Sequence, residues 1–305
     1  METLEGGMSS MPLQSQESAM APQVRASCGC GGAGGDCKCH EKVQSNGLAV
    51  YPFVYALGKI QPRCPRLELE KEFAQATGRA ETMGLTDRQA LHAVLSKRQN
   101  RYLVRNLCWV FSVEGLETYI LQPRDATDLE LLVESLRPAP SPLDLDVVIG
   151  VRGPIPPLDY CNGLMVPIVV FDQLYSFDRD ALLKAIPHPE GIAAKQFEAV
   201  AGELFEHLLQ MADNAGGTDE HRAMNYLIVR YPAIYALASE RHGRDNSLTG
   251  VEVRPSALSG IRKIVEVIFV YRNRTTDVTE KFAVRVDVTG EFPFLVTKLS
   301  PHYDH

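Results

Sequence analysis

The residues best equipped for chemistry lie near the N-terminus, where four cysteines and a histidine fall within thirteen residues: Cys28, Cys30, Cys37, Cys39 and His40. Four thiolates can close a tetrahedral site around Zn²⁺, and the glycines between them would let the backbone wrap tightly around the ion. The spacing is less typical of zinc, because the pairs are Cys-x-Cys and the six-residue loop between them is short. Two interpretations stay open: a zinc site, or a flexible tail whose thiols bind metal only opportunistically.

The segment that carries this cluster, residues 1–50, is rich in Gly, Ser, Gln and Met and has hardly any aromatic or β-branched residue. Such a segment buries too little apolar surface to offset its ordering entropy, so we expect a disordered Cys/Gly-rich tail ahead of a folded domain at 51–305. Its first residues lack the basic and apolar regions of a secretory signal, which predicts a cytoplasmic protein. In a reducing compartment the seven cysteines are expected to be free thiols or metal ligands rather than disulfides.

The net charge and the lengths of the apolar runs argue against two classes of partner. The net charge of −7 argues against nucleic acid, which requires clustered Lys and Arg to neutralise phosphates. The longest apolar run, residues 164–171, contains Pro167 and is far below the ~18 residues of a membrane-spanning helix. We therefore expect neither nucleic acid nor membrane binding.

The elements of the folded domain are predicted from hydrophobic periodicity. The only tryptophan, Trp109, lies in an unbroken apolar run at 107–111, which we interpret as a central strand paired in a hairpin with 116–121. Polar residues at its flanks, Arg98, Arg101 and Arg105, are expected where the strand leaves the core. Three strands that alternate at period two, followed by FPFLVTKLS, predict a C-terminal antiparallel meander with one face more buried than the other.

Helices are predicted between these strand regions. One spans 193–212, and Thr218 caps another that runs towards Arg241 with a kink at Pro232. If these two helices pair, four side chains could face each other around a metal: Glu206, His207, His221 and Asn225. The Pro- and Gly-rich loop 152–163 is either a binding element or a cover for the sheet. The predicted fold class is α+β, with antiparallel or mixed sheets packed against several helices.

Catalytic motifs are absent from the sequence. It contains no P-loop, no dinucleotide-binding fingerprint, no His-Glu-x-x-His and no Gly-x-Ser-x-Gly elbow. Asp172, Asp178 and Asp180 flank a helix start without the spacing of a calcium loop. This pattern favours a protein that is not an enzyme, although scattered residues can still form an active site.

From about Phe53 onward the chain resembles the C-terminal domain of the PatG and PatA proteins of cyanobactin biosynthesis. The resemblance rests on long segments, among them FVYALGKIQPRCPRLELEKEFAQATGR, LSKRQNRYLVRNLCWVFSVEGLETYILQPRD, CNGLMVPIVVFDQLYSFD and RTTDVTEKFAVRVDVTGEFPFLVTKL. In that family a subtilisin-like protease domain precedes this one, and its catalytic blocks do not occur in these 305 residues. The resemblance therefore transfers no protease activity and no catalytic residue.

The resemblance implies a non-catalytic accessory module in the maturation of a ribosomally made peptide. Its expected partners are the precursor peptide or other biosynthetic enzymes, with a homodimer as a further option. One alternative is a metal-dependent peptide-modifying enzyme that uses zinc at Cys28–His40. Another is a carrier domain fused to a Cys/Gly-rich peptide that is itself modified.

Overall fold

The computed structural model describes residues 53–79, 84–186, 193–210 and 214–303. The predicted tail at 1–50, with Cys28, Cys30, Cys37, Cys39 and His40, lies outside these residues, and the domain boundary at residue 51 stays a prediction. Two sheets and eight α-helices make up the described chain, so the predicted α+β class is confirmed.

The first half of the described chain forms a closed five-stranded barrel in the order β1-β2-β3-β5-β4. All neighbours are antiparallel except β3 and β5, which run parallel. Four helices pack on it between β1 and β4. The elements are β1 (Phe53–Arg63), α1 (Leu67–Arg79), α2 (Asp87–Leu95), α3 (Arg101–Asn106), β2 (Cys108–Val113), β3 (Leu116–Pro123), α4 (Leu129–Glu134), β4 (Asp144–Arg152) and β5 (Ile168–Asp178).

The second half places four helices between the barrel and an antiparallel sheet of order β6-β7-β8-β9. This confirms the predicted C-terminal meander packed on helices. The elements are α5 (Arg179–Ala185), α6 (Ala194–Leu209), α7 (Asp219–Arg230), α8 (Ala233–Gly243), β6 (Asn246–Pro255), β7 (Ile264–Asn273), β8 (Thr279–Asp287) and β9 (Phe294–His302). Within the described residues, no helix is long and apolar enough to cross a membrane.

Strand β1 separates two hydrophobic cores because both of its faces are buried. Val54 and Ala56 belong to the core that contains Trp109 and α2–α4. Tyr55 and Leu57 belong to the larger core formed by α5–α8 and the second sheet. A strand buried on both faces reads as a continuous apolar run, as in the sequence FVYAL.

Local signals in the sequence set several of these boundaries. Helix α2 begins at a capping box in which Thr86 and Gln89 exchange side-chain and backbone hydrogen bonds, as predicted. Thr218 accepts a hydrogen bond from the His221 amide and starts α7, also as predicted. Trp109 lies on the predicted central strand, and its Nε1 donates to the Val104 carbonyl at 3.0 Å.

Three predictions about local structure are wrong. Arg98, Arg101 and Arg105 lie in a short 3₁₀ helix and α3 rather than at a strand end. The helix predicted to kink at Pro232 is two helices, because proline has no N–H to continue the first. Strand β7 is buried on both faces from Ile264 to Phe269, so its alternation does not mark one exposed face.

Glu266, the charged residue in the buried part of β7, forms ion pairs with two arginines. Glu266 lies 3.0 Å from Arg254 on β6 and 2.6 Å from Arg285 on β8. A carboxylate inside a sheet is costly unless it is paired, and here both neighbouring strands supply an arginine. The two arginines therefore explain how Glu266 can be buried on β7.

Gly58 on β1 is required by a close approach to β2. A Cβ atom at this position would come within 2.8 Å of the Phe111 ring and closer still to the Ser112 carbonyl oxygen. We therefore expect Gly58→Ala to lower the free energy of unfolding by roughly 1–3 kcal/mol, measured by chemical denaturation.

The matched control is Gly250→Ala on β6, where a Cβ atom would meet nothing within 4 Å. This substitution should change the free energy of unfolding by less than about 0.5 kcal/mol. Equal losses in both variants would show that the approach of β1 to β2 is not the constraint.

Candidate functional site

The residues considered for metal binding do not form a metal site within the described chain, where no group of three His, Cys, Asp or Glu side chains is arranged to hold an ion. Glu206 forms an ion pair with Arg179 at 2.6 Å. Asn225 is fully buried, and its Nδ2 donates to the Tyr55 carbonyl at 2.7 Å. The predicted cluster of Glu206, His207, His221 and Asn225 is therefore not assembled, because Glu206 and Asn225 bind other groups.

Two of the cysteines form a disulfide, which corrects the expectation of free thiols. Cys108 begins β2 and Cys161 lies in the loop before β5, and their Cα atoms are 5.6 Å apart, within the usual range. Both cysteines are buried in a small apolar cluster with Val110 and Ile120. The loop that contains Cys161 covers the outer face of β2 and β3, in line with one of the two alternatives from the sequence. Of the described cysteines, Cys64 is the free thiol.

The aspartates noted in the sequence have different roles. Asp178 accepts a hydrogen bond from the Ala181 amide and caps α5. Asp180 contacts Arg179 at 3.2 Å. Asp172 instead lies against two residues from distant parts of the chain, Arg124 and Glu291.

Three exposed apolar side chains lie at the start of β9 and in the turn before it, and we call them the β9 edge: Phe292, Phe294 and Val296. Their exposed fractions are 53%, 51% and 37%. Strand β9 has β8 as its sheet neighbour and ends the order β6-β7-β8-β9. Leu295 and Leu299 alternate with the outward residues and pack on the core. The row is thus held outward by the burial of its neighbours.

Basic groups accompany this row. The Arg262 guanidinium lies 5.4 Å from the centre of the Phe294 ring and also pairs with Asp287. Lys298 is exposed farther along β9. An edge that combines exposed aromatic rings with cations can bind an extended chain through backbone pairing, apolar contacts and an acidic side chain.

The turn before β9 is fixed by a buried arginine. Arg222 of α7 is 2% exposed and donates to the carbonyl oxygens of Val288 at 2.8 Å, Glu291 at 3.2 Å and Gly290. Its guanidinium also lies 5.2 Å from the centre of the Phe53 ring. The turn that presents Phe292 is therefore tied to α7 and to the first described residue of the barrel.

A separate cavity of about 380 Å³ opens at the end of the barrel between β1, the β2–β3 hairpin and α6. Its lining includes the buried amides Asn214 and Asn225, which hydrogen-bond to each other at 2.7 Å. Arg63 and Glu117 form an ion pair and also line it. Because these polar groups pair with one another, the cavity offers weaker recognition chemistry than the β9 edge.

Sequence reasoning did not find the β9 edge or the group around Glu291. The segment FPFLVTKLS was correctly predicted as a strand, but nothing in it distinguishes an edge strand from an internal one. Arg124, Asp172, Arg222 and Glu291 are far apart in the chain, and each alone resembles an ordinary surface residue. Only the fold brings them together.

Comparison with known proteins supports the resemblance deduced from the sequence. Residues 192–302 match a family described as PatG C-terminal. A solved structure described as "PatG Domain of Unknown Function" superposes with a TM-score of 0.67 and 18% identity, covering 83% of this chain and 99% of that chain. No curated protein matches the chain. At this identity the structural likeness shows the fold, and the family match confirms the predicted PatG C-terminal domain over residues 192–302.

Mapping of the cysteines tests the disulfide. In protein unfolded in denaturant and alkylated without reductant, we expect a thiol reagent to label Cys64, while Cys108 and Cys161 become labelled only after reduction. Cytoplasmic proteins rarely keep disulfides, so protein quenched with acid directly from cells should be compared with purified protein. Labelling of Cys108 and Cys161 before reduction in both samples would contradict the pairing.

Zinc at Cys28, Cys30, Cys37, Cys39 and His40 stays a prediction, because these residues lie outside the described chain. Elemental analysis of the full chain is expected to give about one zinc per molecule if four thiolates bind it. Replacing the four cysteines by serine should remove the metal, whereas Cys64→Ser should retain it. Metal that survives the fourfold substitution would place the zinc elsewhere.

Proposed function

We propose that this PatG C-terminal domain is a non-catalytic accessory module that binds an extended peptide along the β9 edge. The peptide would be the precursor of a ribosomally made product, or a segment of a partner enzyme that acts on it. The cytoplasm, where such precursors are made, is the proposed compartment. The observation that carries the proposal is the exposure of Phe294 and Val296 on β9, an edge strand of the described chain, together with Phe292 in the turn before it.

Large exposed apolar side chains in a row are unusual on a protein that has no partner. Soluble proteins expose single apolar residues often, but contiguous ones mark contact surfaces. Aromatic residues are also the side chains that contribute most to binding energy at such surfaces. Burying Phe292 and Phe294 against a peptide would therefore supply both affinity and position.

The shape of β9 limits how much peptide can pair with it. Its pairing with β8 shifts register between Leu295 and Thr297, and again between Thr297 and Ser300. Pro301 has no N–H to donate. The first shift leaves Val296 as an extra residue, so a partner strand is expected to pair only with the start of β9, with its apolar side chains against Phe294 and Val296.

The charges of the edge predict part of the partner's sequence. Arg262 and Lys298 border the apolar row, and both are basic. A peptide with alternating apolar residues and at least one acidic residue fits this surface best. Electrostatic attraction of this kind contributes to specificity and association rate, and added salt weakens it.

A peptide library displayed on phage provides a test that requires no known partner. We expect selection on the full chain to enrich apolar peptides that carry an acidic residue. For a synthetic peptide from that selection, the double variant Phe292→Ser/Phe294→Ser should bind at least about tenfold more weakly, as expected when two exposed aromatic anchors are lost. Fluorescence anisotropy measures the affinity.

The matched control is Val278→Ser, which removes a residue of 59% exposure before β8, at the opposite end of the sheet from Phe292. It should leave binding unchanged. Unaltered binding by the double variant would contradict the proposal. A further outcome is that the β9 edge pairs two copies of the chain. Sedimentation of the wild type and of the double variant would detect it, because the substitution would then convert a dimer to monomers.

A further inference from the structure

Two carboxyl groups meet where the barrel contacts the turn that presents Phe292. Asp172 lies on β5 at a bulge, since the pairing with β4 passes from Phe171–Gly150 to Gln173–Ile149 and leaves Asp172 as the extra residue. Bulges redirect a side chain out of the regular alternation of a strand. Glu291 comes from the turn between β8 and β9. The pair therefore joins the barrel to the second sheet.

Arg124 is the cation that contacts both carboxyl groups. It follows β3 directly, and its Nη2 lies 2.6 Å from Asp172 Oδ2 and 3.6 Å from Glu291 Oε2. Half of its side chain is exposed, so solvent weakens its attraction for both acids. One partly exposed guanidinium is a weak counter-charge for two ionised carboxylates.

The remaining charged groups of this region are directed elsewhere. Arg222 uses its N–H groups on the Val288, Gly290 and Glu291 carbonyl oxygens and also lies 3.4 Å from Asp219. Asp219 pairs in turn with Lys263 at 3.0 Å. Arg222 therefore makes its hydrogen bonds to the backbone of the turn. Its charge opposes the rise in the pKa of Glu291, but it is shared with Asp219.

Each carboxyl group has one buried oxygen without a hydrogen bond in the described chain. These are Glu291 Oε1 and Asp172 Oδ2, and the second forms an ion pair with Arg124. A proton on Glu291 would supply the missing donor, because a protonated carboxyl can donate to a neighbouring carboxylate. One proton between the two groups would therefore give a hydrogen bond to oxygens that otherwise lack one in the described chain.

We infer that Asp172 and Glu291 share one proton and form a pH-dependent latch that holds the β8–β9 turn, and with it Phe292, against the barrel. The inference about Phe292 as a contact for peptide rests on the proposed function, whereas the latch itself does not. Loss of the proton places two negative charges side by side, and their repulsion favours release of the turn. The latch therefore makes the β9 edge more ordered at acidic pH than at alkaline pH.

The pKa of Glu291 has the direction that this latch requires. Burial raises it first, and the neighbouring Asp172 raises it further, to about 7, against the opposing effect of Arg124 and Arg222. Because the pKa in the folded protein exceeds the ordinary value of 4.5, the folded state binds the proton more tightly than the unfolded state does. The stabilisation is present in full below pH 4.5 and is lost as the pH rises through about 7.

Hydrogen–deuterium exchange of the full chain without peptide tests the latch. At pH 8 compared with pH 5.5, after correction for intrinsic exchange, the amides of residues 289–292 should exchange about tenfold faster in the wild type. Glu291→Gln cannot ionise and should show no such change. Glu252→Gln, which alters an exposed carboxylate paired with Lys281, is the control and should respond as the wild type does.

A measurement on the wild type alone tests the latch even if the Glu291→Gln variant does not fold. The ¹³C carboxyl resonance of Glu291, assigned in the labelled protein, should titrate with a midpoint near the folded pKa of about 7. A midpoint near the ordinary value of 4.5, or equal exchange of the turn at both pH values, would overturn the latch.

Binding of the selected peptide distinguishes failure of the latch from failure of the proposed function. If both hold, affinity falls as the pH rises from 5.5 to 8 in the wild type and stays constant in Glu291→Gln. Affinity that does not change with pH in the wild type, together with flat exchange, rejects the latch and leaves peptide binding intact. Absence of any selected peptide, together with pH-dependent exchange, rejects the proposed function and leaves the latch intact.

Discussion

The fold depends on the burial of both faces of β1. Val54 and Ala56 pack into one core and Tyr55 and Leu57 into the other, so the barrel and the helical layer meet through this strand. Its backbone is committed as well, because the Tyr55 amide donates to the Gly216 carbonyl at 2.9 Å and the Tyr55 carbonyl accepts from Asn225. Gly216 has a φ of +70°, and a Cβ there would collide with the Tyr55 backbone. Neither core can therefore be repacked without disturbing the other.

The same constraint explains which parts of the fold could be predicted from the sequence. Elements defined by neighbouring residues were recovered, as the hairpin at Trp109 and the caps at Thr86 and Thr218 show. Closure of the barrel was not, because it depends on the parallel pairing of β3 with β5, whose register no local pattern encodes. The disulfide could not be predicted for the same reason. Cys108 and Cys161 are separated by 53 residues in the sequence, and it is the fold that places them together.

The candidate site was harder to predict than the fold. Arg124, Asp172, Arg222 and Glu291 come from the end of β3, a bulge in β5, helix α7 and a turn, and their meeting requires all four elements to be placed correctly. A bulge is the least predictable of these features, since one extra residue redirects a side chain without any composition signal. The cysteine cluster was the more visible candidate in the sequence, because its residues are adjacent there.

The start of β9 differs from the rest of the strand in a way that bears on its role. Proteins protect edge strands with lysine, proline and bulges, and β9 has all three in Lys298, Pro301 and two register shifts, one at Val296 and one before Ser300. The start of the strand instead exposes Phe294 and follows a turn that exposes Phe292. That turn is held by Arg222 on one side and by the Asp172–Glu291 pair on the other. An edge that is protected along most of its length and held in place at its start is suited to a short partner strand, because the protected part prevents longer pairing.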